Sequence, residues 1–123
     1  MPLSSAKPQV LVVEDEALLL FSIADELKEA GFDVFEAVNA DEAIRHLDAH
    51  RGIGLVFTDI DMPGSMDGLR LSAVIRDRWP PVKIIVTSGK LRPDARQLPA
   101  EGLFLSKPYT TSGVLAAVRS VLG

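Results

Sequence analysis

The stretch "VFTDIDMPGSMDGL", residues 56 to 69, leaves an apolar run, arrives directly at Asp59 and Asp61, and then turns through Pro63 and Gly64. A run such as "LVFT" (55 to 58) has no polar face, which suits a strand covered on both sides, as in a parallel sheet. "VLVV" (10 to 13), "VKIIVT" (82 to 87) and "LFLS" (103 to 106) are of the same kind. "DVFEA" (33 to 37) is shorter and alternates, as expected nearer an edge. Between the strands lie helical periodicities at 16 to 30, 40 to 50, 68 to 78 and 111 to 122, with Gly31 placed to end the first and Thr110 or Thr111 to cap the last. Strand and helix alternate, and right-handed crossovers then make a three-layer α/β sandwich around five parallel strands. The segment "SGKLRPDARQLPAEG" (88 to 102) breaks this rhythm. Pro93 and Pro99 bracket only five residues, so a shortened or irregular helix is predicted there.

A chain of 123 residues, 47% hydrophobic and 24% charged, is one domain's worth of globular sequence. Residues 1 to 8 read as a disordered lead-in and 9 to 123 as the domain. The net charge of −4 hides an asymmetry: residues 1 to 62 hold 13 acids against 4 bases, residues 63 to 123 hold 4 acids against 9 bases. A sequence pI near 5.1 argues against nucleic acid as the main partner. The absence of cysteine excludes disulfides and thiolate metal sites and agrees with a cytoplasmic location. No segment approaches the roughly 20 apolar residues of a membrane-spanning helix, so no membrane role is expected.

In a parallel sheet all strands end on one edge, and ligands bind in the crevice there. Glu14 and Asp15 follow the first strand, Asp59 ends the third, Thr87 ends the fourth and Lys107 follows the fifth. Three acids, a hydroxyl and an ammonium are thus expected to converge. Crowded carboxylates call for a cation. Mg²⁺, which takes one or two carboxylates and keeps room for phosphoryl oxygens, suits an open cluster of this kind. Asp59 between the metal and Lys107 then reads as a carboxylate nucleophile for a phosphoryl group, with Thr87 donating to one of its oxygens.

Four motifs in order, "VVEDE", "FTDIDMPGSMDG", "IIVTSGK" and "LSKPY", each at a strand end, resemble the receiver domain of two-component response regulators over nearly the whole chain. The resemblance implies a flavodoxin-like, doubly wound sheet of order 2-1-3-4-5. It implies Asp59 as phosphoacceptor, and Mg²⁺ on Glu14, Asp15, Asp59 and the Asp61 backbone carbonyl. Lys107 would contact the phosphoryl group, preceding a cis Lys107–Pro108 bond, and Thr87 and Phe104 would be switch residues. Such a domain catalyses its own phosphorylation and dephosphorylation without being a conventional enzyme. The sequence departs from the common pattern in Glu14, where Asp is more frequent, and in "MPGSMDG", which is one residue longer than usual. Ser88 beside Thr87 is the competing candidate for the switch hydroxyl.

The implied donor is a sensor histidine kinase or a histidine phosphotransfer protein. Leu18 and Phe21 fall outside the apolar arc of the first helix (Leu19, Leu20, Ile23, Leu27, Ala30) and are the candidate docking patch. The output is either a switch toward a downstream protein target or a phosphorelay shuttle or sink. In the switch reading, phosphorylation orders segment 88 to 102 and couples to homodimer formation through strand five and the last helix, whose apolar run Val114, Leu115, Val118, Val121 and Leu122 is broad. The chain is read as a stand-alone regulator. Two alternatives are a haloacid-dehalogenase-type phosphohydrolase, with Asp61 as acid/base, and a degenerate receiver that only binds proteins. An EF-hand fails because Pro63 takes a ligand position, and a P-loop fails because Ile84 stands where its first glycine belongs. His46 and His50 are spaced like a metal pair but are expected to face water.

Overall fold

In the computed structural model, residues 7–61, 66–88, 102–106 and 109–122 are described. Their elements alternate along the chain as far as β4, which β5 follows directly among the described residues: β1 Gln9–Val13, α1 Ala17–Glu29, β2 Asp33–Ala37, α2 Ala40–Ala49, β3 Ile53–Asp59, α3 Gly68–Arg78, β4 Lys83–Ser88, β5 Gly102–Ser106 and α4 Thr111–Leu122. All strand pairs are parallel and the order is β2-β1-β3-β4-β5. This is the flavodoxin-like order that the resemblance implied, with "DVFEA" at one edge. The expected lead-in up to residue 6, the loop at 62–65, the shortened helix at 94 to 98, and Lys107 with Pro108 lie outside the described residues.

The apolar strands β1, β3 and β4 are buried on both faces because helices cover both, whereas β5, of the same apolar type, lies at the other edge with Leu103 exposed and Phe104 and Leu105 half-buried. Val10, Val12, Leu55, Phe57 and Ile85 pack with Leu20, Ile23 and Leu27 of α1 and Val114, Ala117 and Val118 of α4. Leu11, Val13, Val56, Ile84 and Val86 pack with Ala40, Ala43 and Leu47 of α2 and Leu71 and Ile75 of α3. The β1–β3 register shifts between Gln9 and Val10, which face Ile53 and Leu55. Gly54 is the extra residue: before it Ile53 joins the α2/α3 layer, and after it Leu55 and Phe57 face α1 and α4. Strand β3 therefore starts two residues before its unbroken apolar run.

Helix ends follow local chemistry. Gly31, at φ 101°, closes α1: its N–H donates to Lys28 O and the Phe32 N–H to Leu27 O, both at 3.1 Å. Phe32 and Leu27 then pack in the same core, which completes a Schellman stop. Asn39 caps α2 by accepting from Glu42 N at 2.9 Å, and the Glu42 carboxylate reaches back to Val38 N at 3.0 Å. Of the two threonines expected to cap the last helix, Thr110 does so, accepting from Gly113 N at 2.9 Å.

Candidate functional site

The strand order reverses direction between β1 and β3, so the loops leaving these neighbours diverge and a crevice opens at their C-terminal ends. Glu14 follows β1 directly, Asp59 is the last residue of β3, and Thr87 lies opposite Asp59 on β4. Glu14, Asp59 and Thr87 are at most 2% exposed, whereas Asp15 is exposed at the rim. One carboxylate oxygen from each of Glu14, Asp15 and Asp59 lies within 4.8 Å of the others. This is the sole group of three or more potential metal-ligating side chains among the described residues. Buried acids this close repel unless a cation or proton lies between them. Hard oxygen donors with one exposed member fit a hard divalent ion in an open site.

The surrounding backbone holds the cluster in place. The Glu14 N–H donates to Ala37 O at 3.0 Å, and its carboxylate accepts from the Glu16 N–H at 3.0 Å, just before α1. The Asp61 N–H donates to Asp59 Oδ1 at 3.1 Å, and the Ile60 N–H to Thr87 O at 2.8 Å, so the chain leaving β3 stays tied to β4. On its far side α3 begins. Asp67 caps it by accepting from Arg70 N at 2.9 Å, and the Gly68 N–H donates to Ile60 O at 3.1 Å. A Cβ on Gly68 would lie 2.8 Å from both Asp59 C and Ile60 Cα, and closer still to Asp59 O. Hydrogen alone fits there, so "DG" in "SMDG" seats α3 against the end of β3.

The two adjacent hydroxyls on β4 differ. Ser88 Oγ donates to Asp61 Oδ2 at 3.0 Å. Thr87 Oγ1 is buried and has no hydrogen-bond partner among the described residues. Phe104 is half-buried and packs with the α2/α3-side core. Leu18 and Phe21 are 84% and 66% exposed on the first turns of α1. Lys107 lies outside the described residues.

One expectation needs correction. His46 is not fully open to water: it is half-buried, its Nε2 is 2.9 Å from Glu36 O, and its ring lies 5.5 Å from that of Phe35. His50 is exposed, as expected, and stacks on the same phenyl at 4.2 Å, with its ring 5.9 Å from that of His46. The helix-wheel argument counted only the helix's own apolar residues and overlooked the edge-strand aromatic that both rings cover.

Residues 10–119 match the family model described as the response regulator receiver domain. The chain belongs to that family. It is a signalling domain of two-component systems, and this membership does not favour the phosphohydrolase alternative. Among curated relatives, the receiver is 32% identical over 118 residues to the transcriptional regulatory protein PrrA of Mycobacterium tuberculosis, covering 94% of this chain and 50% of that protein. The receiver thus spans about half the length of PrrA. Among solved structures, a response regulator receiver protein from Sinorhizobium medicae WSM419 superposes with a TM-score of 0.86 at 30% identity, with 94% of each chain covered. The response regulator TrrA of Thermotoga maritima, solved in complex with Mg²⁺ and BeF, matches with a TM-score of 0.81 at 28% identity over 93% of the receiver and 98% of TrrA. No helix among the described residues is long and apolar enough to cross a membrane.

The motif reading missed Asp67 and Gly68, which support the pocket, and weighed Ser88 only as a rival switch hydroxyl, not as a partner of Asp61. The Asp-Gly pair stood in the quoted motif and had the form of a helix start; nothing local pointed from Ser88 to Asp61.

Proposed function

We propose that this receiver accepts a phosphoryl group on Asp59 from a phosphohistidine donor, with Mg²⁺ held by Glu14, Asp15, Asp59 and the backbone carbonyl of Asp61. The observation that carries this reading is the approach of the three carboxylates to within 4.8 Å at the ends of β1 and β3, with two of them buried. The likeness to TrrA, solved with Mg²⁺ and BeF, supports the choice of ion. An Asp59 carboxylate oxygen attacks phosphorus; the new P–O bond forms as the P–N bond to the donor imidazole breaks, and the electron pair stays on that nitrogen. The bound cation supplies charge neutralisation for the phosphoryl oxygens. The Thr87 hydroxyl, which has no partner among the described residues, donates to one of those oxygens, and Lys107 is assigned to another. Dephosphorylation is a separate step: water attacks phosphorus and gives up a proton to solvent, the P–O bond to Asp59 breaks with its electron pair returning to the carboxylate, and inorganic phosphate leaves.

The exposed Leu18 and Phe21, one helical turn from Glu14 to Glu16, are the docking patch for a sensor histidine kinase or histidine phosphotransfer protein. Thr87 and Phe104 are the switch pair, and β5 with α4 is the surface for a downstream target or a second copy. The domain acts in the cytoplasm and spans residues 9 to 123. Thermal unfolding tests the site: Mg²⁺ with beryllofluoride should raise the Tm of the wild-type protein and leave Asp59→Asn unmoved. An equal rise in both proteins would remove Asp59 from the site.

A further inference from the structure

Asp61 sits two residues from Asp59, and its N–H is hydrogen-bonded to the Asp59 carboxylate at 3.1 Å. Its own carboxylate is nevertheless not part of the Glu14–Asp15–Asp59 cluster. Asp61 Oδ2 is instead held by Ser88 Oγ at 3.0 Å, across from the end of β3 to the end of β4. Ser88 is 2% exposed, while Asp61 is half-buried. The clasp thus turns a half-buried carboxylate onto the β4 side and leaves three acids, rather than four, grouped at the ends of β1 and β3.

We infer that Ser88 is a positioning residue that keeps the Asp61 side chain off the metal, and so sets both the selectivity of the site and its openness to phosphoryl oxygens. The inference rests on the proposed metal-dependent chemistry at Asp59. A fourth carboxylate raises affinity for divalent ions, and most for Ca²⁺, which takes six to eight oxygen ligands and tolerates irregular geometry, whereas Mg²⁺ demands a near-ideal octahedron and keeps its waters. The same carboxylate also adds negative charge where phosphoryl oxygens must approach, which opposes their transfer. Ser88 is therefore distinct in role from Thr87: one hydroxyl is engaged in restraining an acid, and the other is turned to no partner among the described residues.

The test is a calorimetric titration of Mg²⁺ and Ca²⁺ into the wild-type chain, Ser88→Ala, Asp61→Asn and the double variant, with phosphorylation rates by acetyl phosphate measured in parallel. With the clasp removed, Ser88→Ala should bind Ca²⁺ about tenfold more tightly, gain less for Mg²⁺, and phosphorylate about tenfold more slowly. Adding Asp61→Asn to Ser88→Ala should return the metal affinities to wild-type values, because the freed side chain no longer carries charge. A purely structural role for Ser88 predicts the opposite sign: a loosened site binds both ions more weakly, and Asp61→Asn does not rescue it. Unchanged or weakened Ca²⁺ binding in Ser88→Ala overturns the inference. Asp59→Asn serves as the control: if it still takes up phosphoryl groups, the underlying reading of the site has failed. If it takes up none while Ser88→Ala binds metal as the wild type does, only the role of Ser88 has failed.

Discussion

Gly68→Ala isolates the seating of α3 against the phosphoacceptor strand. The added Cβ would lie 2.8 Å from Asp59 C and Ile60 Cα, a separation that real Cβ atoms essentially never show. The obstructing atoms are backbone at the end of a central strand, so no side-chain rotation relieves the overlap, and either α3 or the end of β3 must shift. Overpacking of this kind costs about 1–3 kcal/mol. Alanine regains at most about 1 kcal/mol of helix propensity over glycine, and less at a helix's first position. The expected net loss is about 1–2 kcal/mol, which for a domain of this size lowers the Tm by roughly 3–10 °C. Function should suffer more than stability. The displaced atoms carry the Asp59 side chain, and a misplacement on the order of 1 Å can cost up to about a hundredfold in rate. Thermal denaturation and the rate of acetyl-phosphate-driven phosphorylation, measured on the same preparation, read the two effects. If Gly68→Ala melts with the wild type and phosphorylates at the wild-type rate, the close approach does not govern the site.

Gly31→Ala should destabilise by about 1–2 kcal/mol in urea denaturation, because a Cβ there meets nothing within 4 Å and the whole cost is the positive φ. Gly31→Asn should recover part of it, and an alanine variant as stable as the wild type would show that α1 can end another way. Replacing Leu18 and Phe21 together by serine should change stability by no more than about 0.5 kcal/mol, since both are exposed. Phosphorylation by acetyl phosphate should then be retained while transfer from a phosphohistidine protein slows; equal loss with both donors would count against a docking patch.

The layered architecture was legible because its cause is local. Apolar runs such as "VLVV" and "LVFT" admit no solvent face, and each is followed by a turn and a helical period. The convergence of Glu14, Asp15 and Asp59 was legible for the same reason, since parallel strands must end on one edge. What the sequence concealed depends on pairings between distant residues. The shift that draws Ile53 and Gly54 into β3 is set by the partner β1, and glycine on its own reads as a loop. The Ser88–Asp61 hydrogen bond spans 27 positions and has no periodic signature. His46 lies against Phe35, which belongs to the neighbouring edge strand and is invisible to a helical wheel. Gly68 read as a helix-start glycine, and only the folded backbone shows that no other residue clears the Asp59 carbonyl.

The central claim, that Asp59 is the phosphoacceptor in a metal-dependent site, is tested most directly by intact-mass and peptide mapping after incubation with acetyl phosphate. The account predicts one phosphoryl increment per chain with Mg²⁺ present, located on the peptide containing Asp59. It also predicts no increment in Asp59→Asn or when the metal is chelated. An increment of equal size in Asp59→Asn, or one that survives removal of all divalent metal, would contradict it.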